Sequence, residues 1–203
     1  MTTLLVTGFT VFNGYQVNPS GETALSLHGT SIAGHRVVAV VLPVSLARMR
    51  RRLESLLEKL KPDAVLGLGL SPRARAVTLE LAAASLVDYP GFPDEDGYRA
   101  DLELIDRELR VLPTRIPLHA VKACRARGHP VAAGLTAGSY LCNAAAYIIH
   151  RYAWNRGVPG GFLHLPPSTT LAMRIGLRWG MPQDEINRAV RCILGEALGG
   201  RNG

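Results

Sequence analysis

Cys142 lies where the small-residue segment Thr136-Ala137-Gly138-Ser139-Tyr140-Leu141 meets an apolar helical stretch. A thiol at a helix N-terminus feels the macrodipole and the unpaired first-turn amides, which favour the thiolate, and the same amides can hold an oxyanion. Such a nucleophile needs a base. Of the six histidines, His28, His35 and His129 lie beside turns and His119 and His150 on helices, where exposed or capping roles are expected. His164 instead ends the apolar run Gly161-Phe162-Leu163-His164-Leu165, far from Cys142 in sequence, as the partners of a dyad usually are. An acid would orient the imidazole, and Glu80 is the one carboxylate inside the apolar run Val77–Ala84. Burying that charge alone is costly, so Glu80 is either paired and functional or outward-facing on an edge strand, which alternation with Thr78 and Ala82 permits. Phe9 and Phe12 follow the first strand and either wall a small-ligand site or plug the end of a sheet.

Alternating elements must position these groups. Thr3 to Gly8 reads as a buried strand, followed by a glycine-rich aromatic loop to Ser20 and a short helix. That loop lacks both G-x-G-x-x-G and the Gly-Lys-Ser/Thr of a P-loop, so nucleotide binding has little support. A β-branched strand, Arg36–Leu42, stops at Pro43; Ser45 caps a long helix ending at Lys61; Ala64–Leu70 and Ala76–Val87 are further strands. Asp88 to Gly97 is a polar loop, and Arg99 to Arg110 is read either as an irregular excursion or as a helix. Beyond it come a helix (Pro117–Arg127, closed by Gly128), a strand (His129–Ala133), a helix (Cys142–Asn155), a strand (Gly161–Leu165) and an amphipathic helix (Pro182–Leu198). The expectation is one domain over residues 1–203, an open α/β/α sandwich with a mostly parallel sheet and its site at the C-terminal ends of strands.

The 203 residues are 47% hydrophobic and 19% charged, which excludes a disordered chain, and no apolar run is long enough to span a bilayer. The N-terminus, Met1 to Gly8, has no signal-peptide pattern, so a soluble intracellular protein is expected. The formal net charge of +7 invites a nucleic-acid reading. Its densest cluster, Arg48 and Arg50 to Arg52, however, shares a helix with Leu46, Met49, Leu53, Leu56, Leu57 and Leu60, and reads as a solvated face. Three cysteines, without short paired spacing, argue against a disulfide framework and a zinc site. Cys124 and Cys192 are expected to be packing residues or interface thiols, whose loss leaves any thiol chemistry intact.

The motifs Val6-Thr7-Gly8-Phe9 with Phe12, Asn18-Pro19-Ser20, Gly67-Leu68-Gly69, Ala137-Gly138-Ser139-Tyr140-Leu141-Cys142-Asn143 and Gly161-Phe162-Leu163-His164-Leu165-Pro166 resemble, in order and spacing, those of the pyrrolidone carboxyl peptidases (pyroglutamyl peptidase type I). The resemblance runs nearly the whole length. It implies an open α/β cysteine peptidase that removes N-terminal pyroglutamyl residues through a Cys-His-Glu triad, with the family's catalytic residues on Cys142, His164 and Glu80. It implies a lactam slot formed by Phe9, Phe12, Asn18 and Leu141, no metal or other cofactor, a cytoplasmic location, a peptide or small-amide substrate, and a dimer or tetramer. Several positions depart from the family pattern. Leu81 and Ser85 replace an arginine and an asparagine, and Asp88–Glu95 replaces a loop that carries an arginine. These departures leave two further readings open: the same triad acting on another acyl amide, and a non-catalytic binding protein on the same scaffold.

Overall fold

The computed structural model describes residues 2–199; positions 1 and 200–203 of the expected domain lie outside the described residues. The elements in chain order are β1 (Thr3–Phe9), α1 (Pro19–Leu27), β2 (Ser31–Ile32), β3 (His35–Leu42), α2 (Leu46–Leu60), β4 (Ala64–Leu70), β5 (Val77–Ala84), β6 (Leu86–Val87), β7 (Glu103–Leu104), β8 (Val111–Pro113), α3 (Leu118–Ala126), β9 (Val131–Thr136), α4 (Leu141–Arg156), β10 (Gly160–Leu165), α5 (Thr169–Arg174) and α6 (Gln183–Leu198). An eight-stranded sheet has the order β2-β3-β1-β4-β10-β5-β8, with β9 also paired to β5. Strands β3, β1, β4 and β10 run parallel, and β5 turns against β10 and β8 while running parallel to β9. The mostly parallel α/β/α sandwich is therefore the fold. Among the described residues no helix is long and apolar enough to cross a membrane.

The local reasons are visible in the sequence. Leu4, Leu5 and Val6 are buried on both faces of β1, as a covered parallel strand requires. Asn18 caps α1, its side chain accepting from the Ser20 amide with Pro19 at the first helical position. Ser45 caps α2 through the Arg48 amide. Met49, Leu53 and Leu57 bury one face of α2, while Arg51 and Arg52 face solvent, Arg50 pairs with Glu54, and Arg48 pairs with Glu95 and Asp96. One core layer lies under α1, α3 and α6, the other under α2 and α4.

One open reading is settled and two change. The excursion Arg99–Arg110 is irregular apart from β7, which pairs with β6. His150 is neither exposed nor a cap. Residues Asn143 to His150 of α4 are all buried because this helix fills the middle of its layer, and the His150 Nδ1–H donates to Leu112 O at 2.9 Å. Burial lowers its pKa, the Leu112 carbonyl only partly opposing it.

Cys124 and Cys192 are not thiols but a disulfide, with Cα atoms 5.9 Å apart. Helices α3 and α6 pack side by side, which brings together two positions 68 residues apart; helix register, not sequence spacing, decides the pairing. Alkylation under denaturing, non-reducing conditions should label Cys142 alone, and all three cysteines only after reduction. Cys124→Ala/Cys192→Ala should lower stability by about 2–4 kcal/mol in thermal unfolding. Three labelled cysteines without reductant would contradict the bridge.

Candidate active site

Antiparallel pairing of β10 with β5 puts Phe162 opposite Glu80 and His164 opposite Thr78, so Glu80, Phe162 and His164 share the face covered by α4. Strand β5 is interior around Glu80, with β10 on one side and β9 on the other, so the edge-strand reading of Glu80 is overturned. Glu80 is 5% exposed. Oε1 accepts from His164 Nδ1 at 2.8 Å, and Oε2 is buried without a partner among the described residues. The Glu80 charge is therefore compensated through the imidazole, whose ring also meets Phe162 edge-on at 5.4 Å.

With Nδ1 taken, Nε2 is the nitrogen left for Cys142. Burial alone pulls the His164 pKa down, but the charge and hydrogen bond of Cys142, followed by those of Glu80, outweigh it and push the imidazole up to about 10. Cys142 is a free, partly buried thiol on the first turn of α4. Among the described residues the Leu141 and Cys142 amides donate to no carbonyl, while the Asn143 and Ala144 amides are satisfied by Tyr140 O. They are two free donors beside the sulfur.

Glycine makes the room. A Cβ at Gly69 on β4, opposite His164, would stand 2.7 Å from Cys142 Sγ and 2.8 Å from the Phe162 ring. One at Gly134, opposite Glu80 on β9, would stand 2.6 Å from Glu80 Oε2.

Phe9, Phe12, Asn18, Leu141 and Cys142, all anticipated from sequence, line one cleft. Asn18 shapes its wall rather than offering a free amide: Nδ2 donates to Thr10 O at 2.8 Å and Oδ1 accepts from Ser20. Asn13, Tyr15, Val44, Leu70, Pro72, Phe92 and Tyr140 also line it and were not singled out. Phe92 and Tyr140 lie outside the helices and strands, where no periodicity marks them. They meet Phe12 with ring centroids 5.8 and 6.4 Å away, and one another at 6.0 Å.

The walls are held from both sides. Ser139 Oγ donates to Asp88 O, Tyr140 Oη donates to Pro93 O, and Tyr89 packs edge-on against Tyr140 at 4.7 Å. Opposite, Asp94 accepts from the Leu46 amide and Arg48 grips Glu95 and Asp96. Asn143 anchors α4 to the sheet through Ala84 and Leu86 with three hydrogen bonds of 2.8–3.0 Å. Two family departures have structural roles: Ser85 ties residues 103–110 to β5 through Glu108 O and the Arg110 amide, and Leu81 packs on the core under α3 and α6. Among the described residues no group of three His, Cys, Asp or Glu is arranged to hold a metal ion.

A free thiol, an imidazole and a carboxylate on an open α/β sheet are the equipment of a cysteine peptidase. The pyroglutamyl peptidase family matches residues 2–198. The pyrrolidone-carboxylate peptidase of Escherichia fergusonii is 32% identical over 201 residues, covering 98% of this chain and 94% of its own. That of Thermococcus litoralis is 34% identical over 171 residues, covering 82% and 77%. Among solved structures, pyrrolidone carboxyl peptidase from Thermococcus litoralis superposes with a TM-score of 0.91 at 29% identity, covering 98% of this chain and 94% of that one. The Thermus thermophilus structure gives 0.87 at 38% identity, covering 95% and 99%. The chain belongs to the pyroglutamyl peptidase family.

The raised imidazole pKa has a stability consequence. The native state binds the proton more tightly than the unfolded chain, so the contribution is full below the ordinary value of 6.5 and is lost as pH rises through about 10. In NMR titrations the His164 ring resonances should stay in the imidazolium position from pH 6 to 8, and Glu80→Gln should bring their titration midpoint down. A midpoint near 6.5 in the unmodified protein would contradict this electrostatic account.

Proposed function

We propose that the protein hydrolyses the amide bond between an N-terminal pyroglutamyl residue and the rest of a peptide, with Cys142 as nucleophile, His164 as acid and base, and Glu80 orienting the imidazole. The observation that carries this reading is the Glu80 Oε1–His164 Nδ1 hydrogen bond of 2.8 Å, on an imidazole whose remaining nitrogen serves Cys142. The uncharged lactam suits the cleft walled by Phe9, Phe12, Phe92 and Tyr140, a site that offers no charge for an ordinary α-ammonium group.

The Cys142 sulfur attacks the pyroglutamyl carbonyl carbon, and the oxyanion formed is held by the free Leu141 and Cys142 amides. Collapse breaks the C–N bond. The imidazolium of His164 gives its Nε2 proton to the departing amine, leaving a thioester on Cys142. Water then attacks the thioester while Nε2 takes its proton; pyroglutamate leaves, and sulfur and imidazole return to their starting state. Glu80 carries no proton in the cycle. It holds the ring through Nδ1 and balances its charge.

A cytoplasmic location and homo-oligomeric assembly belong to the same proposal. Family membership supports both, and the exposed Leu104, Leu109, Val111 and Leu135 supply apolar surface for assembly.

Turnover of a pyroglutamyl chromogenic amide is the test. Cys142→Ala should lower kcat by about 10⁴-fold or more, and Glu80→Gln by about 10²–10⁴-fold with little change in KM. Unchanged turnover in Cys142→Ala would sink the mechanism.

A further inference from the structure

His164 protonates the departing amine, so the leaving part of a bound peptide lies on the His164 side of the cleft, opposite the wall formed by Phe92 and Tyr140. On that side β10 and β4 end together, and the Ser71 amide donates to Leu165 O at 2.9 Å. The chain beyond these ends is rich in exposed arginine. Arg73 follows the cleft-lining Pro72. Arg75 stacks over the Trp179 ring at 5.0 Å, which brings the loop carrying Arg178 against the loop after β4. Arg174, at the end of α5, donates to Gln16 Oε1, next to the cleft-lining Tyr15.

Among the described residues none of these four arginines has a carboxylate within salt-bridge distance. The neighbouring chain has no acid to offer: there is no Asp or Glu before Glu22, between Asp63 and the buried Glu80, or between Glu108 and Asp184. The acids nearest the cleft, Asp94 to Asp96, stand on the opposite wall and are engaged by Arg48, Ser45 and the Leu46, Asp96 and Tyr98 amides. The cleft mouth is therefore polarised, with uncompensated positive charge where the leaving peptide emerges.

We propose that Arg73, Arg75, Arg174 and Arg178 form a subsite for the leaving peptide, and that preferred substrates are pyroglutamyl peptides carrying a carboxylate within about three residues of the scissile bond. This rests on the pyroglutamyl reading above. Three extended residues span about 10 Å, close to the screening length at 0.1 M salt. The carboxylate comes either from an acidic side chain or from the free C-terminus of a short peptide; both present the same planar anion to guanidinium groups.

Two matched substrate pairs separate the sources: pyroglutamyl-glutamate amide against pyroglutamyl-glutamine amide, and pyroglutamyl-alanine against its amide. At low salt the charged member of at least one pair should show about five- to tenfold higher kcat/KM, mostly through KM, and the advantage should shrink as salt is raised. Arg73→Gln/Arg174→Gln should bring that ratio toward one, whereas Arg188→Gln, the same kind of charge loss on α6, should preserve it. A preference in one pair only identifies which carboxylate is read. Equal kcat/KM within both pairs, or a ratio untouched by the double substitution, would overturn the subsite while leaving the activity standing. No cleavage of any of the four would overturn the pyroglutamyl reading, and the subsite with it.

Discussion

A carboxylate inside a parallel-sheet layer is the constraint around which this site is built. Glu80 has one oxygen on His164 Nδ1 and the other without a partner, so its charge is tolerable only while the imidazole carries a proton. The geometry follows from that need. Strand β5 must lie beside β10 in the register that sets Glu80 diagonal to His164, and the strands beside them must present glycine where Cβ atoms would enter the line of groups. Helix α4 then has to start over Gly69, where the sulfur is close enough to keep the imidazole charged from its other side. Asn143 fixes that start by using its whole amide on the backbone of β5 and β6.

The walls of the cleft are less self-sufficient. They come from loops at strand ends, and their order depends on cross-bracing: the Asp88–Tyr98 segment is bonded to the start of α4 through Ser139 and Tyr140, and to the start of α2 through Asp94, Glu95 and Asp96. Acidic groups against the N-terminus of α2 are favoured by its free amides and its dipole. Of the departures from the family pattern, Asp88–Glu95 falls in this framing and Ser85 secures the chain through Glu108 and Arg110, while the Glu80–His164 hydrogen bond is kept.

Groups whose chemistry conflicts with their surroundings are legible in the amino-acid sequence itself. A glutamate in an apolar strand, a histidine ending another and a cysteine opening an apolar helix each break a local pattern, and together they form the core of the site. The alternation of strands and helices suffices for the sandwich, because a two-sided sheet needs continuous apolar strands. What the sequence leaves open depends on contacts between distant elements. Whether β5 is an edge strand is decided by β9, on the side away from β10. The helical pattern around His150 does not show that α4 is covered all round. Phe92 and Tyr140 sit in loops, where an aromatic residue carries no periodic signal. The Cys124–Cys192 bridge depends on the packing of α3 against α6, which neither helix specifies alone.

The central claim is that the sulfur of Cys142, set against the charged imidazole, becomes covalently acylated. The direct measurement is mass spectrometry of enzyme quenched in acid during turnover of an activated pyroglutamyl ester. The account predicts a mass increase of one pyroglutamyl acyl group on the peptide containing Cys142, abundant in unmodified enzyme and absent in His164→Ala. Turnover with no such adduct on Cys142, or with the acyl group on another residue, would contradict it.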